Sequence, residues 1–100
     1  MAHDFKPRSL SFDWDQWNVQ KNEKKHGVSR LEAESAFFDA DYKLFADKQH
    51  SAREQRFILL ASSMENRVLM VGFTLRLAKV RIITARTASK KERKIYEKKD

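Results

Sequence analysis

Isolated charges inside apolar runs mark where this chain could do chemistry. Arg81 interrupts Val80-Arg81-Ile82-Ile83. A guanidinium in mid-sheet must find a partner or a ligand, because burying it unpaired is costly. Arg86 closes the same segment. In a regular strand residues 81 and 86 face opposite sides, so both serve one site only if the chain turns near Ala85. Glu54 and Arg56 lie two apart at the start of a strand, point the same way, and can form a hydrogen-bonded pair. An ordinary cross-strand ion pair is the plainer outcome for such neighbours. His26 follows Lys25 at a helix C-terminus, where the dipole favours a protonated imidazole. That suits a phosphate contact or a general acid, and equally a simple helix cap. Asn18, Asn22 and His26 share one helix face and line either a groove or a wet surface.

Other chemistries find no support. His3, His26 and His50 are too scattered for a ligand pair on one helix, and with no cysteine there is no thiolate to complete a zinc set. There is no phosphate-cradling Gly-rich loop, no dinucleotide fingerprint and no nucleophile elbow. No metal or other cofactor is expected. No apolar run approaches the roughly 20 residues needed to span a bilayer, and no apolar segment follows the N-terminal charges. A cytoplasmic protein without membrane contact is expected.

Charge is concentrated at one end. Residues 76–100 carry ten Lys and Arg against Glu92, Glu97 and Asp100, which accounts for the whole net charge of +7. Such a patch attracts phosphate backbones by releasing counterions. Charge alone does not separate RNA from DNA or from an acidic protein.

The elements that must position these groups follow from hydropathy and caps. One hundred residues make one domain, with residues 1–9 as a flexible leader and 10–98 as the folded part. Leu10 to Trp14 alternates as a short edge strand. Asp13 or Asp15 caps a polar helix running to about Lys25, and Gly27 supplies its left-handed stop. Ser29 and Glu32 form a capping box for a second helix ending before Asp39. Strands are expected at 42–45, 56–62, 67–75 and 79–84, with Met64-Glu65-Asn66 as a hairpin connection. Ser89 and Glu92 make a second capping box for a closing helix to about Lys98, whose thin apolar stripe (Ala88, Ile95, Tyr96) docks weakly. Trp14, Trp17, Phe37 and Phe38 are expected in the core, although Trp17 on a polar helix suits base stacking too. The result is an α+β domain: a small antiparallel β-sheet, two N-terminal helices packed on it, and a C-terminal helix.

Three ordered blocks carry a family resemblance. Asp13-Trp14-Asp15, Asn22 and Lys25-His26-Gly27-Val28, followed by Glu32-Ala33 and Phe38-Asp39, resemble the N-terminal signature of the BrnT toxins. Asp47, His50-Ser51 and Glu54-x-Arg56 resemble that family's central motif. Arg81-Ile82-Ile83-Thr84-Ala85-Arg86-x-Ala88, with Glu92-Arg93 and Tyr96-Glu97, resembles its C-terminal signature. The chain departs from the family pattern at Asn18, usually lysine, at Ala61, usually glycine, and at Thr84, usually serine.

The resemblance implies a RelE-like fold and a type II toxin–antitoxin ribonuclease that cuts RNA without a metal and inhibits translation and growth. In that reading a ribose 2′-OH attacks the adjacent phosphate. Arg81 and Arg86 clamp the phosphate, with Arg56, held by Glu54, as a third cation. Glu54 or His26 accepts the 2′-OH proton, and His26, Lys25 or Tyr96 protonates the leaving group. Lys25, Arg76, Lys79, Lys90, Lys91 and Lys94 then hold the flanking RNA. The implied partner is a BrnA-like ribbon-helix-helix antitoxin that neutralises the toxin in a heterotetramer, and the complex represses its own promoter DNA. Two competing readings are a non-catalytic nucleic-acid-binding module and a DNA-binding regulator. Against the latter stand the lack of a helix-turn-helix pattern and N-terminal helices that read as acidic to neutral.

Overall fold

The computed structural model describes residues 10–98, so the leader expected over residues 1–9 lies outside the described part. In chain order the elements are β1 (Phe12–Asp13), α1 (Gln16–His26), α2 (Arg30–Ser35), β2 (Lys43–Asp47), β3 (Arg56–Ser62), β4 (Val68–Arg76), β5 (Lys79–Thr87) and α3 (Lys90–Glu97). The sheet order is β1-β5-β4-β3-β2. β2 to β5 form an antiparallel meander, but β1 lies parallel to β5, with Phe12 beside Val80 and Asp13 beside Arg81. The sheet is therefore mixed rather than antiparallel throughout. The two helices carry the chain from one sheet edge to the other, so no hairpin turn reverses β1 against its neighbour.

Caps mark the helices. Asp15 accepts the Trp17 N–H at 2.9 Å, and Gly27, at φ 65°, closes α1 in the left-handed conformation that glycine adopts without strain. Ser29 caps α2 by accepting the Glu32 N–H, but the Glu32 carboxylate does not reach back to complete the box. It is diverted to Arg67 and Ser63, both at 2.6–2.7 Å. Ser89 and Glu92 do form the full reciprocal box on α3. α2 tightens into a 3-10 turn at Ala36–Phe38, where Phe37 is buried and Phe38 is exposed; Leu31, in the first turn of α2, is exposed too.

One face of the sheet is dry. Leu59, Ala61, Leu69, Val71, Phe73, Val80, Ile82 and Ala85 pack there against Val28, Ala33, Ala36 and Phe37 from the helical side. Phe37 sits edge-on to both Phe12 and Phe73, with centroids 5.3 and 5.1 Å away. Asn22 on α1 is 1% exposed. It lines neither a groove nor a wet surface, because its Oδ1 accepts the Ala85 N–H at 3.3 Å beyond the end of β1. The other face is open except at one end, where α3 packs on β3 and β4 over Leu60 and Met70.

Candidate active site

The open face acquires its charge through register. Opposed residues share a face, so Arg56, Thr74 and Arg81 form one row across β3, β4 and β5, and Ile58, Gly72 and Thr84 form the next. Between the pairs Phe73–Ile82 and Gly72–Thr84 the residue Ile83 is skipped, a β-bulge. Without it Arg86 would face the core with Ile82. With it Ile82 and Ala85 both point inward, and Arg81 and Arg86 both point outward. The chain makes no turn near Ala85, so the condition set for bringing both arginines to one face is met by the bulge instead, and β5 runs on to Thr87.

Between Arg56 and Arg86 lies a cleft of about 260 Å³ lined by Asp47, His50, Arg56, Ile58, Gly72, Thr84, Arg86 and Glu92, among others. Its floor is close-packed, since a Cβ on Gly72 would come within 2.9 Å of Thr84 Cγ2. The loop after β2 supplies one wall. Ser51 Oγ donates to the Asp47 carbonyl at 2.5 Å and accepts the Arg56 N–H at 2.9 Å, folding the loop back on the start of β3. On that loop His50 Nδ1 lies 2.9 Å from Asp47 Oδ2. This contact fixes the ring and leaves Nε2 for a ligand. A groove lined by Gln49, His50, Arg53, Glu54, Arg56 and Arg76 adjoins the cleft.

The cations differ in what they already hold. Arg86 makes a two-pronged pair with Glu92 at 2.8 and 2.9 Å, and this pairing holds the Glu92 carboxyl below its ordinary range. Arg81 donates to Asp13 at 3.0 Å and Asp15 at 3.4 Å, clamping β1 and the start of α1 to β5. Glu54 lies just before β3 and pairs with Arg76, both contacts at 3.2 Å, not with Arg56 as its spacing suggested. The two-residue spacing fails because residue 54 is not in the strand. The Arg76 hydrogen bonds, with the charges of Arg56 and Arg81, hold Glu54 below the usual carboxylate range, which makes it a weak base. Arg56 makes no ion pair among the described residues, and its buried Nε has no hydrogen-bond partner.

Two expected proton-transfer groups stand outside the cleft. Burial and the cations Lys25, Arg86 and Lys21 push the His26 pKa down, opposite to the direction its helix end alone would give. Tyr96 donates its hydroxyl to Asp39 at 2.6 Å, and burial together with that carboxylate raises its pKa, so it is a poor acid. Lys90, Lys91 and Lys94 are exposed on α3, Arg76 and Lys79 are exposed beside the β4–β5 turn, and Lys25 is exposed near the end of α1. Trp17 is 70% exposed rather than in the core, and α1 with Lys21, Lys24 and Lys25 against Glu23 is basic rather than neutral.

His50 is the cleft group to which sequence reasoning gave no role, weighing it as a metal ligand and quoting it only within the family resemblance. The Asp47-x-x-His50-Ser51 spacing carried the signal: a carboxylate one turn before an imidazole, with a serine able to staple the loop. Among the described residues no group of three or more His, Cys, Asp or Glu side chains is arranged to hold a metal ion, and no helix is long and apolar enough to cross a membrane.

A mixed five-stranded sheet with α1 and α2 on one face, and α3 beside a histidine–arginine cleft on the other, defines a small α+β domain. The model of the BrnT family, described as the ribonuclease toxin of type II toxin–antitoxin systems, matches residues 14–92, and the chain belongs to that family. In structure the chain is similar to the Brucella abortus ribonuclease toxin BrnT, known from a crystal structure, with a TM-score of 0.59 and 21% identity over 82% of this chain and 100% of that one. At that identity the likeness concerns the fold. No curated relative matches the sequence.

Proposed function

We propose that this chain is a toxin that cleaves RNA in the cleft between His50 and Arg86, without a metal. The observation that carries the reading is the meeting in one cleft of an Asp47-oriented imidazole with the unpaired Arg56 guanidinium. The His50 Nε2 takes the proton of a ribose 2′-OH, whose oxygen attacks the adjacent phosphorus. Arg56 and Arg86 face the charge that grows on the phosphorane oxygens. The P–O5′ bond then breaks, the imidazolium returns its proton to the 5′-oxygen, and the products are a 2′,3′-cyclic phosphate and a 5′-hydroxyl. Glu54 and Arg81 act indirectly in this scheme, the first by holding Arg76 and the second by anchoring β1. Lys90, Lys91 and Lys94 hold the flanking strand.

Family membership supports a protein antitoxin as partner. In our reading it is a BrnA-like ribbon-helix-helix protein that neutralises the toxin in a heterotetramer and, with it, represses the shared promoter in the cytoplasm.

Purified protein incubated with RNA in EDTA should generate cyclic-phosphate ends. His50→Ala and Arg56→Ala should each lower the rate by about 10²- to 10⁴-fold while circular dichroism stays unchanged. A 2′-deoxy nucleotide at the cut site should abolish cleavage. Full activity in folded His50→Ala would remove the histidine from the mechanism, and RNA binding without cleavage would leave the non-catalytic reading.

A further inference from the structure

We propose that the groove on α1 formed by Trp17, Gln20, Lys21, Lys24 and Lys25 is a stacking subsite for single-stranded RNA, in which the indole carries a base and the lysines its flanking phosphates. The inference rests on the reading that the cleft holds RNA, and extends the track to a second face. Trp17 is 70% exposed at the first turn of a helix whose one buried side chain is Asn22. An indole so placed contributes little to the core, and its ring is open to a ligand. Lys21 lies one turn beyond it, roughly 6 Å along the axis, and Lys24 and Lys25 occupy the turn after that. Together these five residues enclose about 300 Å³. No carboxylate lines the space. A π-face bordered by ammonium groups and one amide is a combination that takes nucleobases without regard to sequence.

Continuity argues for RNA rather than an unrelated acidic protein. His26 ends α1 beside Lys25, and the charges of Lys25, Arg86 and Lys21 all act on it. Arg86 of the cleft and Lys21 and Lys25 of the groove are thus near enough to act on one imidazole, so the two patches form one field that a single polyanion can follow.

The test uses the whole protein and a fluorescent 2′-O-methyl oligouridine dodecamer, which binds but cannot be cut because its 2′-oxygen is blocked. Anisotropy should show Trp17→Ala weakening the complex by about fivefold to a hundredfold, with Trp17→Phe retaining most of the affinity. Lys21→Gln with Lys24→Gln should reduce the slope of log affinity against log salt by about 1.4. Wild-type affinity in Trp17→Ala overturns the proposal whether or not the protein cleaves RNA. Loss of affinity in Trp17→Ala, with no cleavage by any variant, upholds the subsite and refutes the catalytic reading instead. If Trp17→Ala keeps its RNA affinity and loses binding to a purified protein antitoxin, the groove is a protein site and the RNA proposal falls.

Discussion

At the residue scale the proposed site sets internal carboxylates against the phosphate it would receive. Arg86 is held by Glu92, which also accepts the Ser89 N–H at 2.8 Å. Glu92→Gln should therefore tighten RNA binding several-fold by releasing Arg86. It should also lower the melting temperature by a few degrees, because the cap of α3 is weakened. Paired thermal and anisotropy measurements separate the two effects. Glu32 makes a different contest. It is 3% exposed and bound to Arg67, and this hydrogen bond holds its pKa below the ordinary value against the upward push of burial. A depressed folded-state pKa contributes stability that is present above about 4.5 and is lost as pH falls through the folded value. The same sign holds for Glu92 and for Asp39, where burial raises the pKa but hydrogen bonds from Tyr96 and backbone N–H groups bring the balance below normal. Glu32→Gln should cost about 1–3 kcal/mol at pH 7 and give a shallower loss of stability below pH 4.5, read by urea melts at several pH values. Which of these charges meet was only partly legible. The arginines announced themselves by interrupting apolar runs, whereas the partners of Arg81 and Glu54 are 66 to 68 and 22 residues away, and no spacing rule reaches that far.

At the scale of elements, the meander, its hairpins and both cap serines could be read from alternation and punctuation, because those signals are local. The bulge could not. Ile83 looks like any other strand residue, and only the packing of Ile82 and Ala85 on one face shows that it is extra. Deleting Ile83 removes the extra residue, so the ladder runs regularly from Phe73–Ile82 to Gly72–Thr84 and Ala85 and Arg86 keep their faces. That variant should still fold with Arg86 on the open face, and loss of the fold on deletion, read by circular dichroism, would contradict the register given to the bulge. Gly72 opposite Thr84 provides a gentler probe. Gly72→Ala should lower stability by about 1–3 kcal/mol through its contact with Thr84 Cγ2, and Thr84→Ser, which removes that methyl, should restore much of it in a double-mutant cycle. The β4–β5 turn is strained for its residues: Leu77 and Ala78 have φ of 51° and 65°, and Leu77 is 97% exposed. Replacing the pair with Asn-Gly supplies residues that accept these angles. A gain of about 1–2 kcal/mol, or roughly 4–16 °C in melting temperature, is expected by calorimetry.

For the whole molecule, the lysines of α3, the open face and α1 place positive charge on several sides of one small body. Replacing Lys90, Lys91 and Lys94 with Gln should flatten the salt dependence of RNA binding by about two units of slope. The basic C-terminal quarter was plain in the sequence. The basic α1 was hidden there, because acids elsewhere cancelled its charge in any sum over the first 75 residues. Besides the Arg86–Glu92 pair, the last helix is tied to the rest through Asp39. The Asp39 carboxylate accepts the Tyr96 hydroxyl and the Ser62 N–H on Oδ2, at 2.6 and 2.8 Å, and the Asp41 N–H on Oδ1 at 3.0 Å. If α3 swings away, that carboxylate loses its phenol while still facing the end of β3. The two amides it restrains and the helix then share one opening event. Under native conditions the deuterium uptake of Ser62 and Asp41 should rise together in Tyr96→Phe, while the amides of Leu59 and Val71 keep their protection.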